Sequence, residues 1–349
     1  MNIWKDGEGV AAQSVNEYAE LWADGQQDGV QRRKTQYEKL VNHYYDLSTD
    51  FYEAGWGESF HFAPRHSGET FQASLVRHEH WLASHLGLTP GMVCADLGCG
   101  VGGPLRNIAR FTGAKIIGIN NNAYQVQRAE QLNERAGLSH LSDVVKSDFC
   151  DMSAELPDES IDAAYSIEAT CHAPDRQSVF AEIYRALKPG GRFVSYEWVT
   201  TPLFDADNAE HVRIVRNIEV GDGLPELVSS DNVLQALRDV GFEVELAFDL
   251  AKAARGMGND IPWYSSLQAT CRCDMQTLKH SRVGTWITQK LLKVLESVRL
   301  APQGSSKMHR TLLQGVDGLV AGGKLGIFTP MFVIKVRKPL VEKPDRELN

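Results

Sequence analysis

Residues 95–104 read ADLGCGVGGP and stand between a short apolar run and the helical run LRNIARF (105–111). A glycine-rich turn carries meaning in that setting, between a strand and a helix. Gly98, Gly100 and Gly102 permit a tight turn and let a ligand approach the backbone. Asp96, at the end of the strand, can accept a hydrogen bond from an ammonium group. In the nicotinamide fingerprint the acid comes about 20 residues after the glycines and meets a ribose. Here it precedes them, so the ligand need not be a dinucleotide.

Outward from this turn the chain alternates apolar runs with helical segments. The runs are VCADLG (93–98), KIIGIN (115–120), DVVKSD (143–148), DAAYSI (162–167), GRFVSYEWV (191–199), FEVELAFDL (242–250) and IFTPMFVIKVRK (327–338). Strands separated by helices predict an α/β fold: a Rossmann-like, seven-stranded, mostly parallel sheet with helices on both faces. Residues 1–80 read as a helical lid, from the spacing of Val15, Tyr18, Leu21 and Trp22 and the run QRRKTQYEKLVNHYYD (31–46). The expected division is a lid over 1–80, a cofactor-binding core over 81–250 and a C-terminal region over 251–349 that supplies the last strand. Some 75 residues separate the last two runs, more than the sheet needs, and are expected to bear on specificity.

A chain of 349 residues, 43% hydrophobic, can bury a large core. Its net charge of −9 repels phosphate backbones, so no nucleic-acid partner is expected. The six cysteines form no zinc-type pairs; they read as reduced cytosolic thiols, and no metal is expected. No signal peptide and no run of about 18 apolar residues is read, so a spanning helix is not expected.

The Asp-x-Gly-x-Gly-x-Gly order resembles class I S-adenosylmethionine-dependent methyltransferases, as does LKPGG (187–191) at the entry to the fifth strand. The resemblance implies S-adenosyl-L-methionine as cofactor. It places Asp96, Gly98, Cys99, Gly100 and Gly102 in the first turn, and Asn120, Asn121 and Asn122 after the second strand, where many members carry a carboxylate for the ribose. Asp148 and Phe149 would lie against the adenine, with Tyr45, Gln125 and Glu168 completing the cofactor set.

The acceptor is read from other segments. YDLSTDFYEAGWGESFHFAPR (45–65), YSIEATCHAPD (165–175), YEWVTTP (196–202), IEVGDGLPEL (218–227) and IPWY (261–264) resemble the sterol 24-C-methyltransferases. That family adds a methyl at carbon 24 of a sterol with an unsaturated side chain; a hydride shift and proton loss follow. Such chemistry needs rings that stabilise a cation without trapping it, and a base. Tyr52, Trp56, Phe60, Phe62, Tyr196 and Trp198 supply rings. Glu53, Glu58, His61, Glu168, His172, Glu197, Asp222 and Glu226 supply candidate bases. Carried over by position, the resemblance marks Tyr52, Glu53, His61, Glu168, His172, Glu197 and Asp222 as catalytic candidates, with Tyr52 at the cation and Glu168 or His172 taking the proton. Where the family commonly has a second Tyr, this chain has Ala54, which bears on the preferred sterol and the number of methyl additions. The alternative is transfer to a lipid alkene in the manner of cyclopropane-fatty-acid synthases, which YYDLS (44–48) also resembles; a sterol carrier without catalysis is a further alternative.

Between Thr277 and Leu313 seven cations (Lys279, Arg282, Lys290, Lys293, Arg299, Lys307 and Arg310) face one acid, Glu296. Ile287, Leu291, Val294, Leu295 and Val298 share a helical face there, with Lys290 and Lys293 beside it. This pattern suits a helix lying on lipid, or equally one packed on its own sheet. A cytoplasmic protein held peripherally on the endoplasmic reticulum or another sterol-synthesising membrane is the expectation; homo-oligomerisation stays open.

Overall fold

The sheet is built from the seven predicted runs. A computed structural model describes residues 17–22, 26–256, 261–268, 282–301 and 303–340. Val15, Lys279, Cys271 and Cys273 lie outside them, as do the side chains of Ala54 and Arg282. The helices before the sheet are α1 (Gln26–Thr35), α2 (Tyr37–Trp56) and α3 (Phe71–Leu86). Then follow β1 (Val93–Leu97), α4 (Gly103–Thr112), β2 (Lys115–Asn120), α5 (Ala123–Arg135), β3 (Ser142–Lys146), β4 (Ile161–Ile167), α6 (Arg176–Ala186) and β5 (Leu187–Thr200). The chain continues with α7 (Ala209–Asp222), α8 (Ser230–Val240), β6 (Glu243–Asp249), α9 (Leu250–Gly256), α10 (Arg282–Ser297), α11 (Ser305–Leu325) and β7 (Phe328–Arg337).

Strand order is β3-β2-β1-β4-β5-β7-β6. The first five strands in that order run parallel, and β7 inserts antiparallel between β5 and β6, with Val336 opposite both Phe193 and Val244. Alternating strand residues therefore feed two cores. Cys94, Ala163 and Tyr165 pack with Leu82, Leu105, Ile108 and Val126 from α3, α4 and α5. Ala95, Leu97 and Ala164 pack with Val179, Phe180, Val233 and Leu237 from α6 and α8 on the other face. The chain order reverses between β1 and β4, which is where an open parallel sheet leaves a crevice at its strand ends.

Beyond the sheet, α7 and α11 pack face to face through small residues. A Cβ on Gly221 would lie 2.1 Å from the Gly315 Cα, so these two backbones approach as closely as glycine alone permits. With the turn at Trp263–Leu267 they form a third core around Trp198, Ile218, Leu319 and Phe328. The α2 helix closes over this arrangement: buried Leu40 and Tyr44 meet Tyr18, Leu21 and Met308. Buried Arg33, on α1, donates to the Pro225 carbonyl at 3.1 Å and lies over the Trp22 ring.

Among the described residues no helix is long and apolar enough to cross a membrane. The face predicted on α10 is exposed rather than packed on the sheet. Ile287, Leu291, Val294 and Val298 are each more than half exposed, and so is Trp286. Leu295 departs from that set by lying partly buried.

Candidate active site

Two cavities meet at the ends of β1 and β4. The first is bounded by the turn after β1, by Asn120, Asn121, Asn122 and Gln125 after β2, by Asp148 and Phe149 after β3, and by Tyr37, Val41 and Tyr45 of α2. The turn needs its glycines: Gly98 has φ +79°, and a Cβ there would stand 2.3 Å from the Ala169 methyl. Gly100 donates its N–H to the Asn120 side-chain oxygen at 3.2 Å, and Asn120 in turn donates to Gln125 Oε1. The Asn122 side-chain oxygen caps α5, and its amide donates to Asp46. Asn120 and Asn122 thus hold the rim, while Asn121, at the cavity edge and partly exposed, is the amide placed to meet a ligand. Asp148 accepts from the Tyr37 hydroxyl.

Asp96 is buried and accepts from the Tyr165 hydroxyl at 2.9 Å; burial pushes its pKa up to about 7. A buried carboxyl so raised is stabilised as the anion by a cationic partner. A cradle with bare glycine backbone, a carboxyl at one end and Asn121, Asp148 and Phe149 at the other fits S-adenosylmethionine, with its ammonium, ribose and adenine. Gly102 does not line this cavity. It has φ +79° and caps α4, where a Cβ would come within 2.8 Å of Arg106.

The second cavity, of about 370 Å³, is aromatic and aliphatic. Phe51, Tyr52, Trp56, Phe60, Phe62 and Trp198 face it, and α11 contributes Leu312, Leu313, Val316 and Leu319. Tyr45, Phe60, His61, Glu168 and His172 line both cavities and so form the junction between them.

Glu168 occupies that junction in a left-handed backbone conformation, φ +56°, rare for a residue with a Cβ. Its carboxylate accepts from the Phe62 N–H and the Trp198 indole N–H, both at 2.8 Å. Burial nevertheless raises its pKa to about 8. His172 is held neutral: burial lowers its pKa to about 4. Its Nδ1 faces the Gly223 carbonyl at 3.3 Å, so Nδ1 carries the proton and Nε2 accepts from the Tyr45 hydroxyl at 2.9 Å. Asp222, at the end of α7, lines the second cavity with one buried oxygen, Oδ2, lacking a hydrogen-bond partner. Burial, and then the charge of Glu168, push its pKa well up.

His61 behaves differently from a base. Burial alone would lower its pKa, but the hydrogen bond and charge of Glu79 raise it. Nδ1 faces the Phe62 carbonyl at 2.8 Å and Nε2 faces Glu79 at 3.0 Å, so both nitrogens are donors. Ser59 and Asn107 also donate to Glu79.

Several predicted residues lie elsewhere. Glu53 is outside both cavities, paired with Arg128 at 3.1 Å. Glu197 is fully buried behind the junction, where the Thr170 hydroxyl donates to it and Arg176 lies 4.0 Å away. Tyr196 stacks on His78 under α3 and donates to its carbonyl, so it presents no face to either cavity. Glu226 pairs with Lys34 at 2.6 Å on the surface, and Glu58 with Arg106 at 2.7 Å at the rim of the first cavity. Residues that the sequence reading missed include Phe51, His309, Leu312 and Leu313, all in the second cavity. The spacing of 309, 312, 313, 316 and 319 is a helical stripe that could have revealed them.

A methyltransferase domain family model matches residues 95–195, and the sterol methyltransferase C-terminal model matches 275–340. Cycloartenol-C-24-methyltransferase of Arabidopsis thaliana is 49% identical over 309 residues, covering 88% of this chain and 90% of its own. Sterol 24-C-methyltransferase of Candida albicans is 44% identical over 346 residues, covering 97% and 90%. The Saccharomyces cerevisiae sterol 24-C-methyltransferase is 43% identical over 335, covering 94% and 86%. Among solved structures, a cyclopropane synthase from Mycobacterium tuberculosis superposes with a TM-score of 0.65 at 18% identity, over 86% of this chain and 98% of that one. Geranyl diphosphate C-methyltransferase from Streptomyces coelicolor gives 0.61 at 17%, over 86% and 97%. These two likenesses speak for the fold alone. With an intact methyl-donor cradle opening onto an aromatic cavity, and with such identity along nearly the whole chain, the protein belongs to the sterol 24-C-methyltransferase family.

Proposed function

We propose that this protein transfers the methyl group of S-adenosylmethionine to carbon 24 of a sterol bearing a Δ24 side chain. The observation that carries the reading is the junction: an aromatic and aliphatic cavity of about 370 Å³ meets the cofactor cradle at Tyr45, Phe60, His61, Glu168 and His172. The cofactor, when bound, supplies an electrophilic methyl on a cationic sulfur. Attack by the alkene leaves a cation at carbon 25; a hydride moves from carbon 24 to 25, and proton loss from the new methyl leaves a methylene. Phe60 and Tyr52, with centroids 5.4 Å apart, both line the second cavity and supply aromatic rings that can stabilise such a cation. Glu168 and Asp222 line the cavity that would hold this cation, and its charge favours the ionised form of carboxyls that burial alone keeps protonated. Glu168, ionised under the field of that cation, takes the proton, since Nε2 of His172 is occupied by the Tyr45 hydroxyl.

The test is incubation with methyl-labelled cofactor, a panel of Δ24 sterols and an unsaturated phospholipid. Label in the sterol supports the reading; label confined to the phospholipid sinks it and favours the cyclopropane-type alternative.

We also propose that the protein works as a peripheral membrane protein, with α10 lying on the bilayer. Its exposed stripe, Trp286, Ile287, Leu291 and Val294, with Val298 just past its end, runs beside Lys290 and Lys293, and Lys290 stands over the Trp286 ring at 5.8 Å. The opposite side of the same helix, through Thr285 and Thr288, lines the second cavity. An insoluble acceptor would thus leave the membrane next to its site. Neutralising Lys290, Lys293 and Lys307 together is expected to reduce co-sedimentation with anionic vesicles; unchanged co-sedimentation would remove this proposal.

A further inference from the structure

The second cavity has a direction, which α11 defines. At one end Leu319 packs in the same core as Phe62 and Trp198, the two residues that hold the Glu168 carboxylate. At the other end stands His309, ten positions earlier on the same helix, about 15 Å away at the α-helical rise. The wall between them is apolar: Leu312, Val316 and Leu319 lie along one side of α11. His309 stands at the opposite end of this helical wall from Leu319, lining the cavity with its ring against Phe51 at 6.5 Å between centroids.

The hydrogen bonds of His309 determine which nitrogen is available. Gln289 on α10 donates its amide to the Ser306 carbonyl at 3.0 Å, which turns its oxygen toward His309. That oxygen lies 2.8 Å from Nδ1, so Nδ1 carries the proton. Burial lowers the His309 pKa, which keeps the ring neutral. Nε2 is then an acceptor that this cavity-lining ring can offer to a ligand.

On the reading that the acceptor is a sterol, we propose that His309, oriented by Gln289, binds the hydroxyl on the ring end of the acceptor by accepting its proton in a hydrogen bond. The apolar stripe of α11 holds the ring system between this contact and Glu168. The site thus measures the acceptor from hydroxyl to alkene and selects an alcohol over a ketone or an ether, neither of which can donate.

The experiment compares a Δ24 sterol carrying a 3-hydroxyl with its 3-ketone and 3-methyl ether. Measurements are steady-state kcat and KM, at pH 7.5 and saturating methyl donor, for wild type, His309→Leu and Gln289→Leu. Wild type is expected to favour the alcohol about tenfold in kcat/KM, chiefly through KM. His309→Leu is expected to bring the ratio close to one with kcat for the alcohol little changed. Gln289→Leu frees the ring to carry its proton on Nε2 and is expected to shift the ratio toward the ketone, a change that loss of packing alone would not produce. Cofactor affinity, measured on each variant, reports that it is folded. Wild type that methylates all three sterols equally, or a ratio unchanged in His309→Leu, overturns the role of His309 and leaves the sterol reading intact. Wild type that methylates no sterol overturns both.

Discussion

Glu168 combines three properties that a merely structural residue has little reason to combine. It has a left-handed backbone, it is buried, and it faces both cavities. Left-handed conformation costs an L-residue about 1–2 kcal/mol, and the two N–H donors that hold the carboxylate keep the residue there. Glu168→Gln is expected to lower kcat at least about a hundredfold, the usual scale for a lost general base. It should also raise the thermal midpoint by a few degrees. The sign follows from burial: with a folded pKa of about 8 against an ordinary 4.5, the folded chain keeps a proton that the unfolded chain loses as pH rises through that window. Stability attributable to Glu168 therefore falls as pH rises from about 4.5 to 8, and the amide escapes this loss. Calorimetry at pH 5 and pH 8 should show the gain of the variant only at the higher pH. Asp96 obeys the same linkage with a different readout. Its carboxyl, raised to about 7, must ionise to hold an ammonium group, so cofactor affinity should weaken about tenfold per pH unit below 7. Isothermal titration between pH 5.5 and 8 checks this, and Asp96→Asn should bind weakly at every pH. Both residues were legible in the sequence because each ends a strand beside a turn with an unusual composition. Glu197 was legible only as an acid near such an end: strand alternation turned it away from the cavities, toward Thr170 and Arg176.

At the scale of elements, the seven strands could be read because each is a short apolar run between helical segments. The position of β7 could not, since an antiparallel insertion between β5 and β6 leaves no local trace. The α2 segment was legible as aromatic, but not the partition of its acids; Glu53 and Tyr52 are adjacent in sequence and project from the helix in different directions, one to Arg128 and the other into the cavity. The wall made by α11 went unread because its glycines look like helix breakers. In the fold they are contact points: Gly315, Gly318 and Gly322 bring α11 against α7 and β7, and this contact places Asp222 at the cavity. Gly221→Val should therefore force the two helices apart, since its side chain would have to occupy the position of the Gly315 backbone. Loss of about 2–3 kcal/mol is expected from such overpacking. Denaturant titration measures that loss. Sterol KM should rise in the variant while cofactor affinity changes much less, because the cradle lies on the sheet and not on these helices.

In the whole molecule, one sheet carries a cofactor cradle at its switch point, and added helices raise a second chamber over the same edge. The two chambers share five side chains, and this economy has a thermodynamic consequence. Tyr45 and Phe60 come from the segment that covers the sheet, whereas Glu168 and His172 come from the sheet edge itself. A ligand in either chamber must order both groups of residues, so the second ligand finds part of that ordering complete. Cofactor product and sterol should consequently bind with positive coupling. Linkage requires the factor to be the same in both directions, and about fivefold or more is the usual range for such coupling. Titration of S-adenosylhomocysteine into protein alone and into protein with sterol measures one direction, and the reverse titration measures the other. Phe60→Ala removes a ring that lines both chambers while leaving Asp96 and Asn121 in place, so it should diminish the coupling more than it weakens S-adenosylhomocysteine alone. Equal affinities with and without sterol in the wild type would show that the two chambers, though contiguous, are filled independently.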